Sequence, residues 1–357
     1  MASPSTDRAS VPAIGRVLGP AAILAAASVL LSSAPATGQL ARHGLTLNGP
    51  APSDSTTTLR AARGDGIWDL LERAGVEPTP SAIEAFKDRN RDRLIRGDEL
   101  LAGRSYTVPA GGSRVGTFPI FGPEYERVAR RSDRLAGRVY YIVAGHGGPD
   151  PGTVGRYAGR RLPEDEIAYD VSLRVARRLL EEGATVHLVV QDPDDGIRDG
   201  SRFPLDHDER YVGEHRIPRS QLGRLRDRVR IINRLYREHG GRAKVQRVLA
   251  LHVDARGSRR DPQIDVHFLV ASRRGRRMAD GLRAAFRHQY ARVQPGRGYD
   301  GTVGVRNLYV LRHTLPVAVL VELGNIRNSR DQRRLTVARN RQAVADWLVD
   351  GLLRDAK

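Results

Sequence analysis

Three apolar runs decide how this sequence folds: Val139-Tyr140-Tyr141-Ile142-Val143, Val248-Leu249-Ala250-Leu251 and Val317-Ala318-Val319-Leu320-Val321. Short continuous runs of this kind are what a strand buried on both faces of a parallel sheet requires. Each leads into a residue able to ligate a metal or carry a proton: His146 within Gly145-His146-Gly147-Gly148, His252, and Glu322. In an open α/β sheet the ligand crevice lies beyond the carboxyl ends of the strands, so residues ending three strands can converge on one spot. Glu164, which follows Pro163 and opens a helix, completes the set. Two histidines, one carboxylate and a spare carboxylate are what a hydrolytic zinc site needs.

Outward from these runs, strand and helix patterns alternate. Residues 165–182 read as an amphipathic helix, with Ile167, Val171, Val175 and Leu179 at four-residue spacing. Strands are expected at 139–144, 185–190, 247–252, 264–270 and 317–321, and further helices at 221–238, 276–290 and 337–353. This order predicts an α/β domain over 138–357, a mainly parallel twisted sheet with helices on both faces.

A smaller α+β unit precedes it over 57–110. Ile67, Leu70, Leu71 and Ala74 suit one short helix, Ile83 and Phe86 a second, and Tyr106 and Val108 a closing strand. Its Gly64-Asp65, Asn90 and Gly103-Arg104-Ser105-Tyr106-Thr107-Val108-Pro109 resemble a LysM-type wall-binding module, which implies a carbohydrate-binding role. Residues 37–56 and 111–137, rich in Ser, Thr, Pro and Gly at their outset, read as linkers. At the N-terminus, Arg8 and Arg16 precede an apolar stretch from Val17 to Leu31, and Ala34-Pro35-Ala36 offers a small-residue cleavage site. Residues 1–36 therefore read as an export signal, with no stable membrane span left after its removal. The mature chain is expected in the periplasm or outside the cell, at the wall.

The formal charge is +18, and lysine occurs only at 87, 244 and 357. An arginine-dominated positive surface favours anionic partners, and for an exported chain a carboxylate-rich wall polymer fits better than nucleic acid. Cysteine is absent, so disulfides, thiolate metal sites and thiol nucleophiles are all excluded.

Taken singly, the candidate residues differ in weight. His146 between glycines is also what an ordinary turn histidine looks like. Glu164, Asp165 and Glu166 all suit the first turn of a helix, where carboxylates stabilise the dipole, and any of the three can serve as ligand. His252 ends an apolar strand, and Asp254 suits a strand-end cap. Glu322 is the sharpest signal, because an ionised carboxylate at the end of an apolar strand needs a cation, a proton or water. The other histidines, at 43, 187, 207, 215, 239, 267, 288 and 313, carry no assigned role.

The segment Gly145-His146-Gly147-Gly148-Pro149-Asp150-Pro151-Gly152 with Glu164 resembles the zinc-dependent N-acetylmuramoyl-L-alanine amidases of type 3. So do the helix bearing Arg228 and Asn233, Leu251-His252-Val253-Asp254-Ala255, and Pro316 through Gly324. The likeness covers roughly residues 138–354. It implies that His146, Glu164 and His252 hold zinc and that Glu322 is the catalytic carboxylate; counting back along the helix from Gly183 favours Glu164 over Glu166. It further implies hydrolysis of the amide between N-acetylmuramic acid and L-alanine, peptidoglycan as the partner, and a protein activator as a second one. Val143-Ala144 and Asp254 stand where the family often has Asp-Pro and Asn, which bears on substrate detail. The rival readings are a zinc peptidase cutting within the stem peptide and a non-catalytic wall-binding or activating protein.

Asp192-Pro193-Asp194-Asp195-Gly196-Ile197-Arg198-Asp199, running on to Asp206, Asp208 and Glu209, is only faintly like a calcium loop, with its glycine misplaced for an EF-hand. It reads as a solvated insertion paired with local arginines, at the crevice rim, narrowing substrate access.

Overall fold

The computed structural model describes residues 44–47, 56–74, 76, 78, 80–95, 98–109, 115–213, 215–255 and 262–355. The export signal expected over 1–36 and most of the linker expected over 37–56 lie outside the described residues. Residues 44–47 are not linker-like: Leu45 bridges to Val186, and Leu45 and Leu47 are buried in the main core.

In the smaller unit, strands Thr56–Arg60 and Ser105–Pro109 pair antiparallel, with helices Ile67–Arg73 and Pro80–Arg89 between them in sequence. Leu70, Leu71, Phe86, Tyr106 and Val108 form its own core. Buried Asn90 donates to the carbonyls of Phe86 (2.9 Å) and Thr107 (2.7 Å) and accepts from Thr107 N (2.8 Å). This asparagine therefore ties the end of the second helix to the closing strand, satisfying backbone groups that burial would otherwise orphan.

The stretch expected to link the units over 111–137 is largely part of the main fold. Strands Val115–Thr117 and Arg127–Ala129 pair antiparallel, and Phe121, Val128 and Leu135 are buried in the main core. Glycine and proline there mark tight turns within a packed segment.

In the main domain the elements are β1 (Arg138–Ala144), α1 (Glu164–Glu181), β2 (Thr185–Leu188), α2 (Gln221–His239), β3 (Val245–Asp254), β4 (His267–Val270), α3 (Arg273–Val293), β5 (Val303–Val305), α4 (Tyr309–His313), β6 (Val317–Asn325), α5 (Ser329–Thr336) and α6 (Ala338–Asp355). The sheet order is β5-β4-β6-β3-β1-β2. Pairs β1–β2, β1–β3, β3–β6 and β4–β5 are parallel, and β4–β6 alone among these is antiparallel. A mainly parallel α/β sheet is thus the architecture. The helices pack in two groups: α6 lies against both α1 and α3, while α2 packs on α4.

Local chemistry sets the helix ends. Pro163 precedes α1, whose first turn carries Glu164, Asp165 and Glu166, and Gly183 just past its end adopts a left-handed φ of 84°. Ser220 and Ser272 cap α2 and α3 by accepting from Gly223 N (3.2 Å) and Gly275 N (3.0 Å). Inside, Asp170 of α1 meets Arg341 of α6 at 2.6 Å and Arg174 at 2.8 Å, with the Asp170 and Arg341 side chains wholly buried.

Candidate metal centre

Two of the strands run past the residues expected to end them. β3 continues two residues beyond His252 and β6 three beyond Glu322, with a register irregularity between His252 and Asp254. The residues still converge. His146 lies in the loop after β1 at a left-handed φ of 64°, and Gly147 and Gly148 also have positive φ. Such a turn is costly for a residue with a Cβ and is tolerated where the surroundings over-determine it.

The turn aims His146 at α1. His146 Nε2 lies 3.2 Å from Glu164 Oε1, and His252 Nδ1 lies 3.1 Å from the same oxygen. One donor atom from each of the three falls within 4.8 Å of the others. The imidazole rings meet edge to face at 5.1 Å. Ligand atoms placed about 2.0–2.1 Å from a tetrahedral zinc stand about 3.3 Å apart, so these separations fit that ion.

The surroundings fix each donor. His146 turns its other nitrogen, Nδ1, to Asp150 Oδ2 (3.0 Å), and Asp150 is held in turn by Arg224 (2.7 Å). Glu164 accepts from Thr153 N (3.1 Å) and Val253 N (3.2 Å). Arg228 of α2 donates to the carbonyl of His146. Two glycines are required by close approach: a Cβ on Gly145 would lie 2.5 Å from the His252 ring, and one on Gly152 would lie 2.7 Å from Glu164 Oε2. A partner on the far nitrogen of a metal-ligating histidine selects its tautomer, the arrangement metal centres use.

Titration of the same groups is uneven. Burial opposes charge on His146, but the hydrogen bonds to Asp150 and Glu164 outweigh it, and its pKa is raised to about 9. Burial lowers the pKa of His252, with the nearby His146 and Arg228 adding to the effect against Glu164. Glu164 supports one charged imidazole, that of His146; despite burial, its bonds to both histidines hold it well below the usual carboxylate range. Asp150 is held down to about 2, chiefly by its hydrogen bond to His146.

Glu322 is the register partner of His252 on one side and of His267 on the other. His267 is buried, with Nε2 3.7 Å from Asp254 Oδ2. Its place beside Glu322 is not readable from sequence by strand-end logic. In a parallel strand the opening residues face the opposite edge of the sheet; β4 runs antiparallel to β6 and brings His267 to this one.

Of the three first-turn carboxylates, only Glu164 joins the histidines. Glu166 pairs with Arg198 (2.7 Å), and Asp165 accepts from Glu166 N (2.9 Å). A cavity of about 760 Å³ adjoins the His146 loop, lined by Gly148, Pro149, Glu209, Arg210, Arg216 and Arg219 among others.

Comparison with known proteins identifies the family of the chain. The germination-specific N-acetylmuramoyl-L-alanine amidase of Bacillus subtilis (strain 168) is 22% identical over 224 residues, covering 62% of this chain and 80% of that protein. Among solved structures, the N-acetylmuramoyl-L-alanine amidase AmiC2 of Nostoc punctiforme is 21% identical with a TM-score of 0.42, covering 62% of this chain and 98% of its own. The catalytic domain of CwlV from Bacillus (Paenibacillus) polymyxa var. colistinus is 19% identical with a TM-score of 0.43, covering 62% and 99%. Residues 141–354 match the family model described as N-acetylmuramoyl-L-alanine amidase, well over half of the sequence, and the chain belongs to that family.

Proposed function

We propose that this chain cuts the amide joining N-acetylmuramic acid to L-alanine in peptidoglycan, with zinc on His146, Glu164 and His252 and with Glu322 as the proton carrier. The observation that carries the reading is the convergence of three donor atoms within 4.8 Å, one strand away from Glu322. Zinc held there supplies Lewis-acid polarisation of the scissile carbonyl and an acidified water. Asp150 keeps the proton on His146 Nδ1 and so frees Nε2 for the ion. Glu322 accepts the proton of the attacking water and returns it to the leaving nitrogen of L-alanine. Arg210, Arg216 and Arg219 face the cavity beside the His146 loop and bind carboxylates of the stem peptide.

Action outside the cell, retention on the wall by the 56–109 unit, and control by a protein activator belong to the same proposal. Support for retention is the separate core of that unit, together with the positive charge of +18, which lies outside the unit.

Digestion of purified sacculi, with products identified by mass spectrometry, tests the reading. Free stem peptides beginning with L-alanine are expected from the zinc-loaded chain and not from Glu322→Ala. Cuts inside the peptide would replace it with the peptidase reading.

A further inference from the structure

The stretch from Asp192 to Glu209 is not the solvated insertion its composition suggests. Ile197 and Phe203 are buried in the main core, and Asp192 and Glu209 are only 3% and 5% exposed. The segment lies against the first turns of α1: Asp192 N donates to Tyr169 Oη (3.0 Å) and Arg198 N to Asp170 Oδ1 (2.8 Å). There Asp165 and Glu166 are each 2% exposed.

Carboxylate oxygens gather where the two meet. Those of Asp165, Glu166 and Glu209 lie within 4.8 Å of one another, and so do those of Asp192, Asp206 and Glu209. Arg198 pairs with Glu166 (2.7 Å) and Asp195. Among the described residues no cationic side chain pairs with Asp165, Asp192, Asp206 or Glu209. Asp165 Oδ2 and Glu166 Oε1, on side chains almost wholly buried, have no hydrogen-bond partner, and Asp206 Oδ1 is buried in the same condition.

Buried like charges this close must be relieved by protons or by a cation. Burial, aided by neighbouring carboxylates such as Asp208 and Asp165 respectively, pushes Asp192 and Glu209 each up to about 8. The donors are all oxygen, with no imidazole, which selects a hard cation over zinc. Five carboxylates with freedom to adjust suit calcium, which takes 6–8 oxygens in flexible geometry, better than magnesium, which keeps most of its water.

We propose that Asp165, Glu166, Asp192, Asp206 and Glu209 bind a calcium ion that locks the 192–209 segment onto the start of α1. The site is separate from the His146 centre in its donors and adjoins it in sequence through Glu164. Gly148 N donates to Glu209 Oε2 at 2.7 Å, so the same ion also steadies the loop that carries His146. Calcium is thus a positioning element for two of the three residues assigned to zinc.

The test uses the full chain, stripped of metals, reloaded with one equivalent of zinc and titrated with calcium chloride. One calcium per chain by elemental analysis and a rise in Tm of roughly 5 °C or more at saturation are expected. Asp192→Asn with Asp206→Asn is expected to abolish calcium uptake while leaving the calcium-free Tm equal to or above that of the parent, since it removes like charges without changing shape. Glu209→Gln should weaken uptake at least tenfold. His146→Ala is expected to keep calcium uptake, which separates this site from the fate of the zinc assignment. The proposal is overturned if the parent takes up no calcium, if the paired asparagine variant binds it unchanged, or if magnesium alone produces the same shift at equal concentration.

Discussion

His252 on β3 and Glu322 on β6 are register partners across a parallel strand pair. Partners in register face the same side of the sheet, about 4.8 Å apart between strands. The proposed proton carrier and a proposed metal ligand are therefore spaced by the sheet itself and not by a loop. Glu322→Gln should lower turnover by about 10²–10⁴ while zinc content stays at one per chain. Loss of zinc from this variant would instead make Glu322 a ligand.

Under the proposed zinc assignment, Asp150 acts on the metal through His146 Nδ1. Asp150→Asn keeps the shape but weakens the hold on Nδ1, and zinc affinity should fall about 10–100-fold. Competition with a chromophoric chelator measures it, and added zinc should restore most of the turnover. A fall in turnover that zinc does not restore would place Asp150 in substrate binding.

In the metal-free chain the His146 pKa is raised from 6.5 to about 9. The folded state then binds its proton more tightly than the unfolded state does. The stabilisation is complete below pH 6.5 and is lost as pH rises through about 9. Melting temperatures of the stripped protein should therefore decline over that interval, and zinc, which requires neutral His146, should flatten the decline. An equal decline with zinc bound would assign the effect to another group.

Gly145 and Gly152 leave room for nothing larger. A methyl at Gly145 displaces the His252 ring, and one at Gly152 meets both Glu164 and His146 while forcing alanine to a φ of 65°. Gly145→Ala and Gly152→Ala should each lose zinc binding by elemental analysis, and Gly152→Ala should also melt earlier. Full zinc occupancy in Gly145→Ala would show that His252 has another accessible position.

Asp170 and Arg341 form a wholly buried pair between α1 and α6. Asp170→Ala strands the arginine charge and should cost about 3–5 kcal/mol in denaturant unfolding. A loss below about 1 kcal/mol would mean that water reaches Arg341 in the variant.

The sequence by itself determined the fold class and set His146, His252 and Glu322 just past strand-forming runs; Glu164 stood out from Asp165 and Glu166 only through the family resemblance. Apolar runs long enough to be buried on both faces leave a parallel sheet as the economical solution, and strand ends in such a sheet lie at one edge. That geometry brings His146, His252 and Glu322 to one side, while the helix start adds three candidate carboxylates, Glu164, Asp165 and Glu166, of which the fold turns only Glu164 to the histidines. The tertiary structure decided what depends on direction and burial. The antiparallel course of β4 placed His267 beside Glu322, because reversing a strand exchanges its two ends. The 111–137 segment joined the core because Phe121, Val128 and Leu135, single apolar residues set among turns and short strands, are buried there together. Packing against α1 turned an acidic run that reads as solvent-facing into a buried cluster of carboxylates. Charge pattern is written along the chain, but the cost of a charge is set by what folds over it.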